Sequence, residues 1–169
     1  MTDNISADLL FLEKDQKEQQ YNKMPYNIDA EQLVLGAVLT NNEALNQIAD
    51  FLRPEHFYEP VHEKIFATIL QFAEKGIVAT PITLKNFFDQ DEAVKEIGGS
   101  KYLVKLATMA SALINVVDYS RLVYDLYLKR QLINVGQAVV VKASDGQAAQ
   151  NANEQIEDAE QSLFNLSAD

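Results

Sequence analysis

Two histidines with acidic neighbours are the first residues whose side chains could form a chemical site. His56 and His62 are the two histidines of the chain, and three glutamates lie beside them. Imidazole and carboxylate groups together ligate many metal ions. Ligands on one helix share a face only at spacings of three or four, whereas these histidines lie six apart with Pro60 between them. The pattern favours local packing or capping by His62 over a metal centre.

Other residue types that could carry catalysis are scarce or poorly placed. Gly98-Gly99 precedes Ser100-Lys101, but neither G-x-x-x-x-G-K-[ST] nor G-x-G-x-x-G occurs, so the glycine pair indicates a helix break. The carboxylates, including the pair Asp91-Glu92, occupy helical positions predicted to face solvent. The chain has no cysteine, which excludes thiol catalysis, disulfides and cysteine-ligated metals. The sequence therefore predicts no enzyme activity and no cofactor for this chain.

Length and charge limit the class of protein further. The chain has 169 residues, 47% hydrophobic and 23% charged, which is typical of one folded domain with appendages. Its net charge of −11, without a dense basic run, disfavours direct binding to DNA or to an anionic membrane surface. Neither a signal peptide nor a run of about 18 apolar residues is present. These features predict a cytoplasmic protein with protein partners.

Helical periodicity and helix-capping residues predict an all-α fold. Starts are indicated at Asn27-Ile28-Asp29, Thr80-Pro81, Asn115 and Asn151, where a capping side chain precedes an apolar repeat. No alternating strand pattern with a hairpin turn occurs. The predicted organisation is a flexible tail over 1–24, a multihelical globular head over 25–110, a helical hairpin over 111–145, and a polar linker with a C-terminal docking helix over 146–169.

The stretch 116–143 is apolar on more than one side of a helix. A small domain can hardly bury every side of such a helix, so a partner surface is predicted here. Packing of the whole surface on the head is the alternative. The predicted pairing residues are Leu122, Leu126, Leu132, Ile133, Val139 and Val140.

The C-terminal segment carries a second apolar stripe, with acidic residues on the other face. A stripe this short does not hold a helix without a partner, so it is predicted to dock on another surface. Folding back onto its own domain is the alternative. The predicted docking residues are Ile156, Ala159, Leu163, Phe164 and Leu166.

A series of short motifs occurs in a fixed order between residues 25 and 167. They are Pro25, Ile28-Asp29-Ala30-Glu31-Gln32, Val34-Leu35-Gly36-Ala37, Leu52-x-Pro54-Glu55-x-Phe57-Tyr58-x-Pro60-x-His62, Ile65-Phe66, Pro81-Ile82-Thr83-Leu84, Ile97-Gly98-Gly99 with Tyr102-Leu103, and Asp158-Ala159-Glu160-x-x-Leu163-Phe164. Together they resemble the N-terminal domain and linker helix of DnaB-type replicative DNA helicases. The chain departs from that pattern over Tyr124–Tyr127, which is more apolar than the usual charged residues, and at Thr83, where aspartate is common.

The resemblance implies a specific role in DNA replication. Such helicases are hexameric rings that unwind DNA with ATP, through a RecA-like domain that follows the linker helix. ATP, Mg²⁺ and DNA contacts are therefore expected only in that further domain. The resemblance also implies a head over 26–109, a pairing hairpin over 115–143 that builds a trimer of dimers, and a helix over 153–167 that docks on a neighbouring ATPase domain.

The implied partners are further copies of the chain, primase and, in many bacteria, a helicase loader. The competing hypothesis is a stand-alone helical adaptor that binds a protein partner through its hairpin. The reading frame beyond Asp169 distinguishes the two, because a phosphate-loop sequence downstream is expected only for the helicase.

Overall fold

The computed structural model describes residues 23–96, 98–110, 115–146 and 150–168, and within these ranges every regular element is helical. The predicted all-α fold is thus confirmed. Most of the predicted tail over 1–24 lies outside the described residues. The helices are α1 (Ile28–Thr40), α2 (Glu43–Asn46), a 3₁₀ turn (Pro54–His56), α3 (Pro60–Glu74), α4 (Pro81–Phe88), α5 (Glu92–Glu96), α6 (Ser100–Met109), α7 (Val116–Ser144) and α8 (Ala152–Ala168).

Helix α1 forms the axis of the head. It begins where the Asn27 side chain accepts a hydrogen bond from the Ala30 N–H, at 2.9 Å. Helices α3, α6 and α7 all pack against it. Its buried residues are therefore distributed around several sides of the helix: Ala30, Glu31, Val34, Leu35, Gly36, Val38 and Leu39.

The other head helices supply the rest of one continuous core. Helix α4 starts as the sequence predicts, because the Thr80 and Thr83 hydroxyls each accept from the other residue's backbone N–H and Pro81 occupies the first turn. The largest fully buried apolar side chains outside α1 come from α3, α4, α6 and the segment before the 3₁₀ turn: Ile48, Leu52, Ile65, Phe66, Ile69, Leu84, Phe88, Leu103 and Leu106.

Helices α1 and α6 cross at backbone distance. A Cβ added to Gly36 would overlap the carbonyl oxygen of Leu106, so only glycine fits here. One turn further along, the Thr40 hydroxyl donates to the carbonyl of Ala107 at 3.0 Å. The absence of a side chain at Gly36 thus sets the separation of the two helices.

Helix α7 is one continuous helix of 29 residues. It starts at the Asn115 cap, which accepts from the Asp118 N–H at 3.3 Å, as the sequence predicts. Its N-terminal half packs on the head, and from residue 131 to its end none of its residues is buried. We call residues 131–144 together with α8 the helical arm.

The hairpin therefore differs from the one predicted within 111–145. Helix α7 provides a single arm, and α8 returns alongside it as the second. The physical reason is that nothing between 116 and 144 interrupts a helix, since proline is absent and Gly136 is tolerated within it. The turn falls instead at Asp145-Gly146. Helix α8 starts at the predicted Asn151, where the side chains of Asn151 and Glu154 each accept from the other residue's backbone N–H.

We predict opposite effects for alanine at two helical glycines. Gly36→Ala should lower the free energy of unfolding by about 1–3 kcal/mol, because the methyl group forces α1 and α6 apart. Gly136→Ala is the matched control, since its Cβ would meet nothing within 4 Å, and it should raise helix stability by about 0.8–1 kcal/mol. Urea denaturation followed by circular dichroism measures both. A Gly36→Ala chain as stable as the wild type would contradict the close crossing.

Candidate interaction surface and the polar network behind it

A buried carboxylate lies at the centre of the head. Glu31 on α1 is only 2% exposed. Its oxygens accept hydrogen bonds from the backbone N–H groups of Tyr58, at 2.6 Å, and Glu59, at 3.3 Å. The prediction that the carboxylates face solvent therefore fails at Glu31. Its place three and four residues before the buried Val34 and Leu35 was the pattern that could have revealed it.

His62 extends this network toward α6. Its Nδ1–H donates to Glu31 at 2.6 Å, and its Nε2 accepts from the Tyr102 hydroxyl at 2.6 Å; these roles are assigned from the network. The Gln32 amide in turn donates to the Tyr102 oxygen at 3.0 Å. Burial raises the pKa of Tyr102, so the phenol keeps the proton that it donates. His62 thus packs, as expected, but through distant partners rather than by local capping.

His56 performs the local capping instead. Its Nδ1 accepts from the backbone N–H of Arg53 at 3.0 Å, which closes the 3₁₀ turn. Among the residues that the structure describes, no group of three or more His, Cys, Asp or Glu side chains is arranged to hold a metal ion. Both histidines therefore have structural hydrogen-bonding roles.

Arg130 joins α7 to the head. Its guanidinium donates to the carbonyl oxygens of Pro25, at 3.0 Å, and His56, at 2.7 Å. It also lies 5.4 Å from the ring centre of Tyr58 and 5.9 Å from that of Tyr127. Burial lowers the pKa of Arg130 from its usual value. Arg130 is not among the residues predicted from the sequence, although its spacing of seven from Val123 continues the buried stripe of α7.

Two of the residues that depart from the family pattern, Tyr124 and Tyr127, face the head. Tyr124 and Tyr127 both pack on the ring of His56, with ring centres 4.9 and 4.5 Å apart, and Tyr124 also meets Phe51 edge-on. Their apolar character is thereby used in attaching α7 to the head.

Four of the six predicted pairing residues line one side of α7. Leu122, Leu126, Ile133 and Val140 follow each other at steps of four, seven and seven, which keeps them on one helical face. The buried residues of α7 and those that line its groove with α8 lie on other sides of the helix. Val140 is 64% exposed and Leu122 37% exposed, while Leu126 and Ile133 are half-buried.

The remaining two predicted pairing residues, Leu132 and Val139, lie on a different side of α7 from this face. Leu132 is 51% exposed. Val139 lines the groove between α7 and α8, so it serves the arm's own packing. We call the row of Leu122, Leu126, Ile133 and Val140 the apolar face of α7.

The predicted docking residues of α8 are divided between two surroundings. Ala159 contacts α7 and Leu166 is half-buried, whereas Ile156, Leu163 and Phe164 are 46–67% exposed. The helix therefore folds back on its own chain, which was the alternative interpretation of its stripe. Only one edge of the apolar stripe of α8 packs against α7, and the other edge is exposed to solvent.

The groove inside the arm is shallow and partly polar. It has a volume of about 230 Å³. Lys142 and Gln150 donate to the Asp158 carboxylate at 3.0 and 3.1 Å, and the hydrogen bond from Lys142 is the main reason why the pKa of Asp158 is lowered. Exposed pairs of this kind contribute little to stability. The groove is lined by Asn134, Val135, Ala138, Val139, Lys142, Gln155, Asp158, Ala159 and Ser162.

Comparison with known proteins identifies the family. Residues 23–125, more than half of the chain, match the family described as DnaB-like helicase N terminal domain. The chain belongs to this family. A replicative DNA helicase DnaB from Rickettsia felis is 50% identical over 146 residues, which are 86% of this chain and 30% of that protein. Its counterpart from Geobacillus stearothermophilus is 37% identical over 122 residues, 72% of this chain and 26% of that protein.

Solved structures agree with the fold. The crystal structure of the N-terminal domain of DnaB helicase from Mycobacterium tuberculosis superposes with a TM-score of 0.76 at 28% identity, over 85% of this chain and 99% of that one. A DnaB-like replicative helicase whose structure is described together with its interactions with primase gives 0.65 at 25% identity, over 83% of this chain and 31% of that one. The chain thus spans about 30% of the length of the helicases that it matches. Among the described residues, no helix has the length and hydropathy needed to cross a membrane.

The polar network joins residues of several DnaB-like motifs of this chain. Glu31 and Gln32 come from the motif over 28–32, Tyr58 and His62 from the motif over 52–62, and Tyr102 from the segment after the glycine pair. In the structure these five residues meet in one chain of hydrogen bonds. The separate motifs are therefore parts of a single structural unit.

We predict that Glu31→Gln destabilises the head. The amide NH₂ group would face a backbone or imidazole donor, and each donor left unpaired costs about 1–3 kcal/mol. Thermal unfolding measures the loss. Glu63→Gln removes the same charge from an exposed site beside His62 and should change stability by less than about 0.5 kcal/mol. Equal unfolding temperatures for the two variants would contradict the role assigned to Glu31.

Proposed function

We propose that the chain is the assembly and recruitment part of a replicative DNA helicase. In this proposal it pairs with a second copy through the helical arm, and the pairs build the N-terminal collar of a hexamer that recruits primase. The observation that carries the proposal is the apolar face of α7, on which Val140 is 64% exposed and Leu122 37% exposed. A two-fold pair buries the same face twice. The structure described with its primase interactions supports primase as the partner.

The remaining functions are proposed to belong to the rest of a longer protein. ATP and Mg²⁺ binding, contact with DNA and unwinding are assigned there, because this sequence lacks a phosphate loop and carries a charge of −11. The relatives named as replicative helicases extend over about three times the length that the chain matches, which supports the same division. The exposed edge of α8, with Ile156, Leu163 and Phe164, is suited to dock on a neighbouring ATPase domain. A loader is a further proposed partner of the collar.

The stand-alone adaptor remains the competing hypothesis for the same surface. It would use the apolar face of α7 to bind a different protein. The relatives named as replicative helicases at about 50% identity favour the helicase. A phosphate-loop sequence encoded downstream of Asp169 would decide for the helicase, and a stop codon there would decide for the adaptor.

We predict that the wild-type chain forms dimers and that Ile133→Asp with Val140→Asp makes it monomeric. Burial of an apolar side chain contributes about 1.5–3 kcal/mol. Losing two of them should therefore raise the dimer Kd more than about a hundredfold. Light scattering after size-exclusion chromatography gives the mass, and circular dichroism checks the fold.

A matched control changes two exposed apolar residues of the head in the same way. Ile82→Asp with Val104→Asp, at positions 83% and 53% exposed, should leave the dimer intact. A wild-type chain that stays monomeric at high concentration would refute pairing through the arm.

We predict direct binding of primase from the same organism. Isothermal titration should show saturable binding to the wild-type chain and weaker binding to the Ile133→Asp, Val140→Asp variant, because a pair presents both of its copies together to one partner. The head variant described above should bind like the wild type. The absence of any binding to the wild-type chain would refute recruitment while leaving the assembly proposal standing.

A further inference from the structure

We propose that Arg130 is a positioning residue that fixes the direction in which the helical arm leaves the head. The joint itself is a property of the single chain. Its consequence for the collar rests on the proposed function. If two copies pair through their arms, the direction of each arm determines where its head lies.

Arg130 is the last buried residue along α7. The buried residues of this helix are Val116, Ser120, Val123 and Arg130, and none of the described residues that follow in α7 is buried. Arg130 is thus the last point at which the helix is held inside the head. At 1.5 Å per residue, the helix continues for about 20 Å beyond it. A pivot of about 10° at Arg130 would move the end of α7 by about 3–4 Å.

Arg130 donates to two acceptors in different parts of the chain. Both are main-chain carbonyls, and they belong to two separate segments, one that leads into α1 at Pro25 and one in the 3₁₀ turn at His56. A planar guanidinium presents its donors at fixed angles, so two acceptors in separate segments define its orientation. Tyr58 and Tyr127 flank its face and restrict it further.

The segment that Arg130 holds is itself fixed from the other side. Residues 56–59 offer the His56 carbonyl to Arg130 and the N–H groups of Tyr58 and Glu59 to Glu31. Glu31 therefore binds the N–H groups of this short backbone segment, and Arg130 binds one of its carbonyl groups. Because Glu31 holds this segment in place, the His56 carbonyl does not move with Arg130. The Arg130 side chain, and with it α7, must therefore orient toward the fixed carbonyl.

Directional bonds explain why an arginine occupies this buried position. An apolar side chain would avoid the cost of removing a charge from water, but apolar contacts repack with little preference for angle. Two hydrogen bonds and the two neighbouring rings favour one orientation of the Arg130 guanidinium. The nearby Arg121 lies 5.1 Å over the ring of Phe51 on the head side of the joint, so it does not act on the arm.

The absence of cysteine makes the direction of the arm measurable. Cysteines introduced at Gln71 on α3 and Ala143 near the end of α7 are both at exposed positions and would be the sole sites for spin labels. Double electron–electron resonance then gives the distance distribution between head and arm. Dilution with excess unlabelled chain suppresses distances between copies.

The wild type should give one narrow distribution, and Arg130→Gln should shift or broaden it by about 3–4 Å, the displacement expected for a pivot of about 10°. Lys129→Gln is the matched control, because it removes a positive charge one residue away whose ion pair is with Asp125 of the same helix. That variant should reproduce the wild-type distribution. An Arg130→Gln distribution that superimposes on the wild type, with the head folded by circular dichroism, would overturn the proposal.

Arg130→Lys keeps the measurement decisive if Arg130→Gln fails to fold. Lysine retains the charge, but a single ammonium group lacks the planar fork that reaches both carbonyls. It should broaden the distribution while leaving the dimer Kd within about threefold of the wild type, since the apolar face is unchanged. An unaltered distribution would refute the positioning role. If the wild-type chain does not pair at all, the proposed function fails, and the intrachain distances still decide whether Arg130 positions the arm.

Discussion

A carboxylate enclosed in a helical head must be surrounded by hydrogen-bond donors, and the arrangement of this domain follows from that requirement. Glu31 obtains its donors from the backbone of residues 58 and 59 and from His62. These groups come from the segment after the 3₁₀ turn and from α3, and His62 carries the network on to Tyr102 of α6. Isolated buried charges are too costly to persist. The packing of α1, α3 and α6 is thereby specified by polar partners as well as by apolar volume.

The head and the arm use apolar residues in different ways. Helix α1 is enclosed by α3, α6 and α7, so apolar residues on several of its sides are all covered. Helix α7 is apolar on several sides too, but it packs on α8, and beyond Arg130 none of its described residues is buried. The same pattern therefore marks the central helix of a core in one case and an uncovered surface in the other. If a second copy packed on α7, the apolar residues of α7 would be covered as those of α1 are.

Local features were predictable from sequence, and distant partners were not. The starts of α4, α7 and α8 depend on side chains within three residues of one another, so Thr80, Asn115 and Asn151 could be recognised. The partners of His62 lie 31 and 40 residues away, and Gln32 bonds Tyr102, 70 residues away. The second arm of the hairpin was misplaced because apolar composition alone does not tell one long helix from two short ones. Whether the apolar face and the stripe of α8 bind partners depends on other molecules.

The bond between Arg130 and Pro25 has a consequence for how the chain acquires its shape during synthesis. Its two ends are 105 residues apart, and the Arg130 bond to His56 spans 74. Contacts of such separation close slowly, because the intervening chain must first be ordered. On the ribosome, α1, α3 and α6 can assemble around Glu31 while α7 is still inside the exit tunnel. The Pro25 carbonyl receives its hydrogen bond only after Arg130 has emerged, so the joint between the head and α7 forms after all the head helices have been synthesised.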